Sequence, residues 1–139
     1  MLIKVTAEPR FLRVVASGDF TMSEAERTFR EVIDAVAIHK TDKVLFDGRE
    51  VIGEPTIMQR FFYSNFAART VARYAAESGK PAPQFAYVLE EPVLDPNRFG
   101  EKVARNRGMN MKVFDNLADA FSWLELEFKE SDGFASKSE

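Results

Sequence analysis

Few residues in this sequence are of the types that carry chemistry, and their spacing limits what each can do. There is no cysteine, which excludes disulfides, thiol nucleophiles and thiolate metal sites. His39 is the one histidine and sits beside Lys40 at the end of a helical stretch, where cations suit the helix dipole. A zinc site would have to be built almost wholly from carboxylates, which is unfavourable, so no metal and no cofactor is expected. Asp47 follows a short apolar run, at the carboxyl end of a strand, where α/β folds place ligand groups. With Arg49, Glu50 and Glu54 close by it could form a polar loop site, although Asp47-Gly48 reads better as a turn. Thr56 opens a helix: it could accept a phosphate favoured by the dipole, or act as an N-cap paired with Gln59. Arg98, Lys102 and Arg105 follow one another at helical spacing, with Arg107 and Lys112 nearby. Such a row could meet an anion, but Glu101 dilutes it and it reads as a solvated face. No nucleophile elbow, phosphate loop or dinucleotide glycine pattern is present. No catalytic residue is assigned, and the chain reads as a non-enzyme.

The elements that must position these residues follow from periodicity. Leu2–Ala7 alternates as a strand, Glu8-Pro9-Arg10 turns, and Phe11–Ser17 forms a second strand ended by Gly18-Asp19. Ser23 and Glu26 form a capping box for a helix with an apolar stripe at Ala25, Phe29, Val32, Ile33 and Val36, ending near His39-Lys40. Lys43–Phe46 is a short strand. A long second helix runs from Pro55-Thr56 to about Ser78, with Gly79 as its left-handed cap. Phe85–Leu89 is a continuous apolar run, hence a central strand covered on both faces. Asp95 caps and Pro96 opens a third helix reaching Asn106, and Met111–Phe114 is a last strand. Asn116 caps a final helix whose buried face is Leu117, Ala120, Phe121, Leu124 and Phe128. The order β β α β α β α β α predicts an α/β domain with a mostly parallel central sheet of five strands, one antiparallel edge pair, and helices packed on it.

Length and charge bound the rest. At 139 residues the chain reads as one domain over residues 1–128, with a flexible polar tail over 129–139. A net charge of −3 argues against nucleic-acid binding. Met1–Val5 lacks the features of a signal peptide, and no stretch approaches the ~20 apolar residues of a spanning helix. A cytoplasmic protein without stable membrane insertion is expected.

The second helix is the most informative segment. Ile57, Met58, Phe61, Ala68, Val71, Ala72, Ala75 and Ala76 share one face, taken as the core face. Phe62, Tyr63, Phe66 and Tyr74 fall mostly opposite, with Arg69 and Arg73 beside them. A helix that is apolar on both sides is expected to be covered on both. The cover could be a protein partner, such as a second copy in a homodimer, a small apolar ligand in a cleft, or packing under a loop of the same chain.

The strand order and three segments carry a resemblance. They are Val44-Leu45-Phe46-Asp47 with the Gly48–Val51 stretch after it, the Phe85–Leu89 strand, and Val113-Phe114-Asp115 with Ala118–Leu124. Over residues 1–128 they resemble the STAS/SpoIIAA-like fold and, within it, the small bacterial STAS/SEC14-type domains of unknown function. The resemblance implies a regulatory interaction module. In STAS regulators that act as anti-sigma factor antagonists, the loop after the third strand carries an Asp-Ser-Ser-Gly-like motif whose serine is phosphorylated. Here that loop reads Ile52-Gly53-Glu54-Pro55-Thr56, and only Thr56 stands where such a serine could be replaced. The SEC14 side of the likeness implies a bound lipid or other small molecule, without the extra helices that enclose a lipid in larger proteins.

Overall fold

The computed structural model describes residues 1–129; the greater part of the expected 129–139 tail therefore lies outside the described residues. Five strands form one sheet in the order β1 (Leu2–Ala7), β2 (Leu12–Asp19), β3 (Lys43–Ile52), β4 (Gln84–Val88), β5 (Met111–Phe114). β1 and β2 are antiparallel, and every later pair is parallel. The order of elements along the chain, the mostly parallel sheet and the antiparallel edge pair are the expected ones.

Each new parallel strand is added on the same side of the sheet. Right-handed crossovers then put all three connecting helices on one face. α1 (Met22–His39), α2 (Ile57–Ser78) and α3 (Phe99–Asn106) accordingly share a core with Leu12, Val14, Val44, Phe46, Phe85 and Tyr87. α4 (Leu117–Trp123) follows the last strand and is free to cover the other face, where Leu117, Ala120, Phe121 and Leu124 pack on Leu45, Ala86 and Val88. Side chains alternate between the two cores along β3 and β4, as a pleat requires.

The α1 stripe is buried as its spacing predicts: Ala25, Phe29, Val32, Ile33 and Val36 all face the core. Its start differs. Thr21, not Ser23, is the N-cap, its hydroxyl accepting from the Glu24 amide at 3.3 Å. Thr21-x-x-Glu24 satisfies the same pattern two residues earlier. The Glu24 carboxylate is drawn to Arg27 and the N-terminal ammonium instead of back to the cap. α3 begins at Phe99, three residues after Pro96. The Asp95 carboxylate accepts from the Asn97 and Phe99 amides and holds a turn ahead of the helix. Those amide donors lower its pKa. α4 ends at Trp123, so Phe128 lies beyond it, although its ring still meets Phe121 at 5.3 Å.

The row Arg98, Lys102, Arg105 is not simply a solvated face. Arg98 donates to the Val113 carbonyl at 2.8 Å and Arg105 to the Met111 carbonyl at 2.7 Å. The Glu101 carboxylate accepts from the Val113 amide at 2.7 Å. These are backbone groups on the open side of edge strand β5, and α3 closes that edge with side chains.

Candidate functional site

Two polar pairs and one groove hold part of the residues singled out by the sequence. The first pair is Asp47 with Arg49. The sequence suggests that a strand stops at Phe46 and Asp47-Gly48 turns; instead β3 runs on to Ile52. Asp47 is buried on the α4 face, 2% exposed, in register with Val88. Its two oxygens accept from the Arg49 Nε and Nη2, both at 2.9 Å, and Oδ1 also accepts from the Arg49 amide. A bidentate guanidinium explains how a carboxylate survives among apolar side chains. A Cβ at Gly48 would lie 2.7 Å from a Leu89 methyl, so a side chain there would make Leu89 shift. Glu54 is exposed in the following loop and takes no part in the pair. Both carboxylate oxygens of Asp47 are occupied, so the pair offers no ready base or nucleophile.

Thr56 is the N-cap of α2, in the capping box its spacing with Gln59 predicts. Its hydroxyl accepts from the Gln59 amide at 3.1 Å, and the Gln59 side chain accepts from the Thr56 amide at 2.9 Å. Thr56 is exposed.

α2 is rotated relative to the sequence expectation. Its buried residues are Ser64, Ala67, Ala68 and Val71. Ile57 and Met58, expected in the core, are 68% and 58% exposed, and Ala72 and Ala76 are exposed too. Tyr63, Phe66 and Tyr74, expected to face outward, pack against the core. Phe29 receives Tyr63 and Phe66 edge-on at 6.1 and 6.4 Å. The alanines at 67, 68, 72, 75 and 76 spread over half the helix, from buried Ala67 and Ala68 to exposed Ala72 and Ala76, and fit either environment, which is why periodicity alone misplaces the face.

The six expected surface residues therefore separate. Phe62, Phe66, Arg69 and Arg73 come together with Met22, Glu26 and Thr70 in a groove of about 480 Å³ between α1 and α2. Phe62 is half exposed there, and the Arg30 guanidinium lies 5.5 Å from the Phe66 ring. Tyr74 packs on the core.

Tyr63 goes to the second polar pair, which the sequence did not reveal. Its hydroxyl is 2.9 Å from that of Tyr87, a β4 residue read only as part of an apolar run. Both line an apolar cavity of about 130 Å³ between the sheet and helices α2 and α3. Small side chains make the room, among them Ser64, Ala67, Gly100 and Ala104. Phe46 stacks on Tyr87 at 4.8 Å and forms part of the floor. Arg60 donates to the Pro92 and Val93 carbonyls at 2.9 and 2.7 Å, tying α2 to the connector after β4. Burial pushes the Tyr63 phenol up to about 12, and burial raises Tyr87 as well. Both are neutral hydrogen-bonding groups at ordinary pH.

Among the described residues, no three histidine, cysteine, aspartate or glutamate side chains cluster as metal ligands would. Among them too, no helix is long and apolar enough to cross a membrane.

No protein-family model matches the sequence, and no curated protein matches it. The structure is similar to the crystal structure of an anti-sigma factor antagonist from Mycobacterium paratuberculosis, with a TM-score of 0.57 and 16% sequence identity. The match covers 89% of this chain and 93% of that one. The five-stranded, mostly parallel sheet with four helices is thus the STAS/SpoIIAA-like fold.

Proposed function

We propose that a chain with this fold and this surface is a non-enzymatic interaction module, cytoplasmic and regulatory, whose contact face is the first half of α2 and whose partner is a second copy of itself. The observation that carries the proposal is the exposed apolar run at the start of that helix. Ile57, Met58 and Phe62 are all at least half exposed, and Ile52 just before them is 62% exposed. Covering such a side chain is worth roughly 1.5–3 kcal/mol. The groove beside Phe62 carries Glu26 on α1 and Arg69 and Arg73 on α2. Charges of both signs on one patch suit an interface that meets its own copy about a two-fold axis. The fold shared with an anti-sigma factor antagonist supports a role through protein partners.

Sedimentation velocity of the wild type and of Met58→Glu/Phe62→Glu tests this directly. Both side chains are exposed, so the variant keeps its fold. A dimer that the two substitutions convert to monomer is the expected result. A monomeric wild type, or a dimer indifferent to the substitutions, overturns the homodimer.

A second reading, a small-molecule binding protein, is favoured by the cavity behind α2. It narrows the lipid expectation, because about 130 Å³ is too small for an acyl chain. Roughly 150 Å³ accommodates one benzene ring.

A further inference from the structure

The chemistry of the cavity wall says more than its size. A phenol has one proton to give and two lone pairs to receive. Tyr63 and Tyr87 together hold two protons, and the single hydrogen bond between them uses one. Whichever hydroxyl donates, the other keeps a proton that the pair itself does not use. The charged groups in the wall are already engaged: Arg60 with the Pro92 and Val93 carbonyls, Glu101 with the Val113 amide. Gln59 is held by the α2 cap, and the Thr28 hydroxyl donates to the Ala25 carbonyl. The Ser64 hydroxyl faces Gly100, where an added Cβ would come within 2.9 Å of it. What remains is a largely apolar space in which the tyrosine pair presents a donor, with the Ser64 hydroxyl on the same wall.

We propose that this cavity binds a neutral, apolar molecule about the size of one ring, carrying a single acceptor oxygen such as a carbonyl, which takes the spare proton of the Tyr63–Tyr87 pair. The inference rests on reading the cavity as a ligand site. A charged ligand is disfavoured, because its desolvation among apolar side chains would go uncompensated. A pure hydrocarbon of the same size fits the space but leaves the donor unused.

Two probes of similar size separate these cases: cyclohexanone, which carries the acceptor, and toluene, which does not. Binding is measured by NMR titration of the wild type, of Tyr63→Phe/Tyr87→Phe, of each single variant, and of the cavity-filling Ala67→Leu. The double variant is expected to weaken cyclohexanone about tenfold, the worth of one hydrogen bond, and to leave toluene unchanged. Each single variant keeps one hydroxyl and retains most of the cyclohexanone affinity. The carbonyl carbon of 13C-labelled cyclohexanone moves downfield in the wild type and not in the double variant. Ala67→Leu loses both probes. If the double variant binds both probes as the wild type does, the tyrosine anchor is wrong while the cavity reading survives. If neither probe binds the wild type, or if both still bind Ala67→Leu folded as judged by circular dichroism, the cavity reading falls and takes the anchor with it.

Discussion

Each face of the sheet buries a polar pair, Asp47–Arg49 on one and Tyr63–Tyr87 on the other, and the two are built on opposite terms. On the α4 face, Asp47 and Arg49 meet through two bonds of 2.9 Å, with the Arg49 amide as a further donor to the same carboxylate. Phe121, Leu124 and Ala120 on that face are fully buried. On the other face, Tyr63 and Tyr87 share one bond beside a space of about 130 Å³. Charge makes the difference. A buried carboxylate is tolerated only when its lone pairs are met, so its surroundings must be saturated and tight. A neutral phenol tolerates an unfilled valence beside a void at far lower cost. The saturated pair belongs to the architecture. The unsaturated pair is where something else can enter.

The largest expected effect comes from breaking the saturated pair. Asp47→Ala removes the carboxylate that holds the Arg49 guanidinium, and with 3% and 11% of the two side chains exposed, water does little to compensate. The expected loss is about 3–5 kcal/mol in urea unfolding, because the change removes one member of a buried ion pair and the two bonds that its carboxylate accepts from the guanidinium. Tyr87→Phe, the equivalent change on the other face, should cost only about 0.5–1.5 kcal/mol. Equal losses at the two sites would end the distinction between the faces.

Packing sharpens the same contrast at a smaller scale. Ala120 in α4 and Ala67 in α2 are both buried helical alanines, at 0% and 1% exposure. Valine at either position carries the same helix-propensity penalty, so the difference between the variants reports space. Ala120→Val overpacks the closed face and should cost about 1–3 kcal/mol. Ala67 lines the cavity, so Ala67→Val should be near neutral by thermal unfolding. A matching loss in Ala67→Val would mean that the cavity is not available space.

Legibility in the sequence divides along the same line. The strand order, the α1 stripe and the Thr56–Gln59 cap are local patterns, read from spacing within one segment. The sites are not local. Tyr63 and Tyr87 lie 24 residues apart on different elements, and nothing in either segment announces the other. Asp47-Gly48 is a common turn dipeptide. Its pairing with β2 and β4 on either side, and the arginine two residues on, keep it extended in β3. On α2 spacing places Ala68 and Val71 in the core but not Tyr63 and Phe66, because alanine marks burial weakly and these aromatics are drawn in by Phe29 and the core beneath it. Tertiary contacts decided each of these, and each bears on what the molecule can bind.

The smallest effect is silent at neutral pH. Burial raises the Tyr63 pKa from its ordinary 10 to about 12 and also raises that of Tyr87. In the unfolded chain both phenols ionise near pH 10, while in the fold they stay protonated beyond it. The stability held in this way is complete below pH 10 and is lost progressively as pH rises from there through the folded values, about 12 for Tyr63. Alkaline unfolding of the wild type, followed by tyrosinate absorbance and circular dichroism together, should therefore show ionisation coupled to loss of structure. In Tyr63→Phe/Tyr87→Phe the coupled absorbance should disappear, and the alkaline limb should lose the part due to those two phenols. The Asp47–Arg49 face offers the control, since Ala120→Val lowers stability without removing the coupled absorbance. Should the double variant and the wild type follow one alkaline curve, the hydroxyls are solvated, and the two faces of the sheet are equally closed to a ligand that needs a dry donor.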